Sequence, residues 1–168
     1  METPLEQILT QSRKADMISY MSTHPESFGE LLELAMTDKQ PYSWRASWLL
    51  WSCMEKNDKR IQPYIQTILD ILPHRKDNQK RELLKILQQM EIDEDQEGLL
   101  FDYCVSLWEQ INKKPSIRYI AFQIISSIAL RYPELSDEIA LLARDHYMES
   151  LSPGIKRGVA ERIKKIRS

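Results

Sequence analysis

The sequence predicts an all-α fold, and three observations carry that prediction. Only two valines occur, Val105 and Val159, among many Leu, Ile, Met, Glu, Lys and Gln residues, which favour helix over strand. No segment alternates cleanly at period two. Where apolar spacing can be read, it is helical. Leu100, Tyr103, Cys104, Leu107, Trp108 and Ile111 follow i, i+3, i+4, i+7, i+8, i+11, and Ile117, Ile120, Ala121, Ile124, Ile125, Ile128 and Ala129 do the same.

Taken in order, the pattern predicts helices over 4–10, 12–22, 25–37, 42–57, 60–72, 78–91, 96–111, 115–131, 134–149 and 153–167. Pro4, Pro25, Pro41, Pro63, Pro73, Pro115, Pro133 and Pro153 all fall at the edges of apolar stripes, where a missing N–H costs least. Thr23 and Glu26 read as a capping box before the stripe Phe28, Leu31, Leu32 and Ala35. Trp44, Trp48 and Trp51 share one face of the fourth helix. Trp48 and Trp51 are expected in the core, with Trp44 at the helix start reaching the surface. Ser152 and Pro153 read as N-cap and first residue of the last helix, which carries Ile155, Val159, Ile163 and Ile166. Short connections make sequential helices antiparallel neighbours.

The chain has 168 residues, the length of one ordinary domain, with 42% hydrophobic and 29% charged residues. A net charge of −2 argues against an obligate nucleic-acid binder. The longest apolar run, Ile139 to Ala143, is too short to span a membrane, and residues 1–7 do not resemble a signal peptide. Cys53 and Cys104, far apart in sequence, fit small buried hydrophobes in a reducing cytoplasm.

Internal repetition organises the chain. Trp44-Arg45, Gln79-Lys80, Ile117-Arg118 and Ile155-Lys156 each open a segment in which two residues and then an apolar pair follow the basic residue. The basic position recurs at spacings of 35, 38 and 38 residues. An amphipathic helix precedes each copy, so the unit is a helical hairpin that buries its apolar face only by stacking on another. Over about residues 25–167 the chain resembles the HEAT and armadillo-like helical repeats, whose second helix opens as Ile117-Arg118-Tyr119-Ile120-Ala121-Phe122 does here. It also looks like a group of short bacterial HEAT-like proteins. The period is somewhat short for the family. Where its aspartate is expected stand Lys39, His74, Asn112 and Ser150. The resemblance implies a single domain: an α-α superhelix, a right-handed solenoid of about four hairpins over 25–168, with 1–24 as an N-terminal cap.

The basic ladder Arg45, Lys80, Arg118 and Lys156 sits in or near the first turn of each second helix. A cation there opposes the helix dipole and calls for an anionic partner. That partner is either a carboxylate of the protein, such as Asp38 or Asp77, or an anionic ligand. Asp93 to Gly98 begins like a calcium loop, but the position of the required bidentate Glu falls on Cys104. His24, His74 and His146 share no metal-ligand spacing. The basic segment 155–168 fits a capping helix with a polar outer face. No phosphate-binding, nucleophile-elbow or zinc-protease motif is present, and no cofactor, metal or catalytic residue is assigned.

The resemblance places second helices on the concave side, making Arg45, Lys80, Arg118, Lys156 and Trp44 the candidate contacts of a non-catalytic scaffold. Its expected ligand is an acidic segment of another protein. The alternative is a DNA-alkylation-repair glycosylase of the HEAT-like kind, with Trp44, Trp48 and Asp102 near the lesion. A strongly basic face would distinguish it.

Overall fold

The computed structural model describes residues 1–168, all helix and turn with no strand. The helices are α1 (Pro4–Gln11), α2 (Lys14–Thr23), α3 (Phe28–Met36), α4 (Tyr42–Cys53), α5 (Ile65–Ile71), α6 (Asp77–Gln88), α7 (Glu94–Glu109), α8 (Pro115–Ala129), α9 (Ser136–Leu141), α10 (Asp145–Met148) and α11 (Pro153–Arg167). Short 3₁₀ turns precede α3, α5 and α9, and another follows α5. The residues fall into two compact units, Met1–Ile92 and Asp93–Ser168.

In the first unit α4 packs on α3, on α6 and on the α1–α2 pair. Its face toward α3 is built from small residues. Ser43, Ala46 and Ser47 are fully buried beside Leu49 and Leu50, and the Ser47 hydroxyl donates to Ala35 O at 3.0 Å. Small side chains let the two helices approach closely, which turns the bulky Trp row away from this seam. Trp48 and Trp51 are accordingly half-buried and outside the core where the apolar pattern expected them. Their rings lie under Lys14 Nζ at 5.0 Å and Lys85 Nζ at 4.7 Å.

The open end of α3 shows how helix termini are satisfied. Its last carbonyls have no intrahelical partner and need donors from elsewhere. Gln79, fully buried, donates from Nε2 to both Ala35 O and Thr37 O at 3.0 Å, and Arg75 Nη2 donates to Met36 O at 2.7 Å. Gln40 Nε2 also donates to Gln79 Oε1, so the starts of α4 and α6 lie side by side.

Several boundaries differ from the sequence pattern. The capping box stands at Thr3 and Glu6, and Glu6 also accepts from Lys39. Thr23 lies inside α2, where its hydroxyl bonds back to Ser19 O and Tyr20 O, because the chain enters a 3₁₀ turn at Pro25. Helix α4 stops at Cys53 and does not reach 57. Asn57 takes a left-handed φ of 49°, its N–H donates to Gln89 O at 2.7 Å, and its side chain accepts from Glu91 N–H.

Asp58 then ties this loop together. Its carboxylate takes two hydrogen bonds from the Arg60 guanidinium, at 2.9 and 2.7 Å, and two from the backbone N–H groups of Glu55 and Arg60, both at 3.0 Å.

The second unit is built around α8, which packs on α7, α9 and α11. Most of the predicted stripes form its core. Leu100, Cys104, Leu107 and Trp108 from α7 and Ile117, Ala121, Ile124, Ile125, Ile128 and Ala129 from α8 are buried together with Phe122. Tyr103 and Ile120 are half-buried, and Ile111, beyond the end of α7, is exposed. Burial drives the Cys104 thiol pKa strongly upward. Helix α11 starts as predicted, with Ser152 capping Ile155 N–H, and crosses α8 at Gly158. A Cβ on Gly158 would stand 2.1 Å from the Tyr119 hydroxyl, so only glycine fits this close approach without displacing the ring.

The segment expected as one helix over 134–149 is broken into α9 and α10. Two buried donors claim its carbonyls. Trp108 Nε1 donates to Leu142 O at 2.7 Å, and Arg118 Nη2 donates to Tyr147 O at 2.7 Å.

Arg118 is fully buried and also donates from Nε to Trp108 O, at the end of α7, at 2.9 Å. Its third contact is Ser150 Oγ at 3.3 Å, and its Cζ lies 4.4 Å from the Trp108 ring centroid. Desolvation lowers its pKa from the ordinary value.

Replacing Arg118 by Met should strand Trp108 O and Tyr147 O and cost roughly 3 kcal/mol, seen as a lower thermal midpoint by circular dichroism. Arg118→Lys should cost about as much, since an ammonium cannot reach three acceptors on three sides. For the first unit, Arg60 beside Asp58, helped by backbone N–H groups, lowers its carboxyl from 3.8 to about 2. A depressed folded-state pKa stabilises above the unfolded value and loses that stabilisation as pH falls from about 4 toward 2. Asp58→Asn should remove about 2 kcal/mol at neutral pH and flatten that acid limb in denaturation curves at stepped pH.

Candidate functional site

The sequence-predicted contacts have four different fates. Arg118 is withdrawn from the surface altogether: its partners are helix-end carbonyls and a hydroxyl, so it is a structural residue and not an exposed contact. Lys80 lies along α6, its side chain 12% exposed, with Nζ 4.0 Å from Asp77. Lys156 is exposed on the first turn of α11. Arg45 and Trp44 are half-buried on α4 and line one groove together.

That groove, of about 360 Å³, is formed by the α1–α2 turn, the first half of α4 and the middle of α6. Trp44 and Trp48, one helical turn apart on α4, give it flat aromatic walls. Arg13 and Lys14 come from the start of α2, both exposed, and Arg81 comes from α6. Arg45 Nη1 donates to Leu9 O at the end of α1 at 2.9 Å, and this bond holds the side chain along the groove floor. Glu82 is the groove's one carboxylate, 1% exposed, and accepts from Arg81 Nη2 at 3.1 Å. Four cations thus surround two half-exposed indoles and one buried acid.

Sequence reasoning found Trp44 and Trp48 through the helical spacing of α4 and Arg45 through the internal repeat, but missed Arg13, Lys14, Arg81 and Glu82. The first two lie some 30 residues upstream of Trp44 and reach it only because α2 packs on α4. Arg81 and Glu82 were hidden in a charged helix that reads as solvated, and no periodic signal marks Glu82 as buried.

The second unit has a groove of opposite character. Glu94, Glu97, Asp102, Glu134 and Glu138 line it with Phe101 and Tyr132, and Glu97 is ion-paired to Arg131. Asp102 therefore stands among carboxylates, an environment that repels a phosphate backbone, and it lines a different groove from Trp44 and Trp48. No three His, Cys, Asp or Glu side chains are grouped to hold a metal ion, and Cys53 and Cys104 are both free thiols. No helix is long and apolar enough to cross a membrane.

Quenching of tryptophan fluorescence checks this geometry. Trp44, Trp48 and Trp51 should be accessible to iodide, which the neighbouring cations attract, whereas fully buried Trp108 should be protected. A Trp108→Phe variant should therefore lose the unquenched fraction of the emission and leave the quenched part unchanged.

The chain matches the model of the family described as HEAT repeat domain over residues 1–166. No curated protein and no solved structure matches it.

Proposed function

The chain belongs to the HEAT repeat family, and from that premise we propose that it is a non-catalytic scaffold binding an acidic segment of another protein in the groove between α2, α4 and α6. The observation that carries this reading is the ring of Arg13, Lys14, Arg45 and Arg81 around the indoles of Trp44 and Trp48. Cations on a groove rim steer and orient an acidic chain, and half-exposed Trp and Arg side chains are the residue types that dominate binding energy.

Protein is favoured over nucleic acid by the charge distribution. The net charge is −2, and the four cations lining this groove, Arg13, Lys14, Arg45 and Arg81, make too short a track for a duplex backbone. Two free thiols and no crossing helix suit a cytoplasmic scaffold, the location we assign with this reading.

A titration with a short synthetic peptide of Glu and Asp, followed by tryptophan fluorescence, tests the proposal. Binding should weaken as salt is raised, and Arg13→Glu with Lys14→Glu, both at exposed positions, should reduce affinity at least about tenfold without changing helicity. Undiminished affinity in that double variant would place the binding elsewhere, and tighter binding of duplex DNA than of the peptide would favour the nucleic-acid reading.

A further inference from the structure

Helix α11 closes the second unit, and one of its sides has no neighbour. It packs on α8 and α9 with Val159 buried, while Lys156, Ala160 and Lys164, spaced i, i+4 and i+8, share an exposed side with Arg157. Lys156 sits in the first turn, where the helix dipole disfavours a cation. Yet neither it nor Arg157 or Lys164 is ion-paired within the protein; of the cations on α11, Arg167 is the one that reaches an acid, Asp137.

The acidic groove between α7 and α9 carries the complementary pattern. Glu94, Gly98 and Asp102 are also spaced i, i+4 and i+8 along α7, and all three are exposed. Both rows read charge, small residue, charge, over about 12 Å of helix. Glu134 and Glu138 supply the other wall, and the rings of Phe101 and Tyr132, both half-buried, give the groove an aromatic lining. Of the groove's carboxylates only Glu97 is ion-paired.

Gly98 is the residue that points outward from the unit. Glycine weakens a helix interior, and nothing in the unit requires one here: its φ is not positive, and a Cβ would meet no atom within 4 Å. The missing side chain therefore leaves α7 open to close approach from outside.

We infer that the acidic groove of one copy takes α11 of a second copy, with Ala160 over Gly98 and Lys156 and Lys164 meeting the carboxylates at the two ends. Small residues at the crossing let the helix axes come close. The lysine stems lie against Phe101 and Tyr132 in a groove of about 390 Å³, and their ammonium heads reach the acidic rim. Because the two faces differ, the contact is heterologous. It lies wholly on the second unit and does not depend on what the groove of the first unit binds.

Sedimentation velocity of the full chain tests this. At low salt the sedimentation coefficient should rise with concentration up to about 100 μM, and raised salt should return it to the monomer value. Lys156→Glu with Lys164→Glu, and separately Glu94→Lys with Asp102→Lys, should each weaken association at least about tenfold. An equimolar mixture of these two variants should associate again, since opposite charges then face each other at both contacts. A Cβ at position 98 meets no atom of the chain, so Gly98→Gln should keep its helicity by circular dichroism and lose association to a similar degree. Arg13→Glu with Lys14→Glu should associate unchanged. A monomer at every concentration overturns the inference, as does a mixture of the charge-reversed variants that stays monomeric, or full association in Gly98→Gln. Association lost in the Arg13 and Lys14 variant would place the interface on the first unit and overturn it as well. If a charge-reversed variant fails to fold, the unaltered protein and Gly98→Gln still decide the matter.

Discussion

The carbonyl groups that every helix leaves unpaired at its C-terminus are the constraint on which both units depend. A chain of short helices has many such ends, and buried ones must find donors. Here long side chains supply them from elsewhere in the chain: Arg45 to Leu9, Arg75 to Met36, Gln79 to Ala35 and Thr37, Arg118 to Trp108 and Tyr147. A guanidinium suits the task because its donors point in fixed directions and it stays charged against the negative end of the helix dipole. The basic residue at the first turn of a second helix thus finds its anionic partner in the carbonyl end of another helix, at Arg45 and at Arg118.

The same bonds decide what is free to act. Arg118 spends its donors inside the second unit and has none to offer a ligand. Arg45 spends one, on Leu9 O, and its half-buried side chain lines the groove beside Trp44. Two residues that look equivalent in the repeat therefore end in different roles, one structural and one lining the candidate site. Packing of α4 makes a parallel division. Its small residues take the seam against α3, and its tryptophans are left on the opposite, cation-covered side.

Where sequence reading failed, the cause was long-range. Helix α9 carries apolar residues at helical spacing, yet Trp108 takes the Leu142 carbonyl that would have continued it into α10, and Arg118 takes the Tyr147 carbonyl near the end of α10. Thr23 and Glu26 have the right spacing for a capping box, but the entry into α3 is a 3₁₀ turn, and the box forms at Thr3 and Glu6. Trp48 and Trp51 fit a core stripe by hydrophobicity, while cation–π contacts let them remain half-open.

By itself the sequence determined the helical class, most helix starts and the hairpin repeat, because these rest on local properties: periodicity, proline and side-chain caps. The core stripes of α7 and α8 were legible for the same reason, since one face of a helix is set by spacing alone. Only the tertiary structure decided which basic residues are buried and which line a groove. It alone brought Arg13, Lys14, Arg81 and Glu82 to Trp44 and Trp48. A charged residue has the same local preferences whether it faces water or a helix end, so its fate depends on what another part of the chain leaves unpaired.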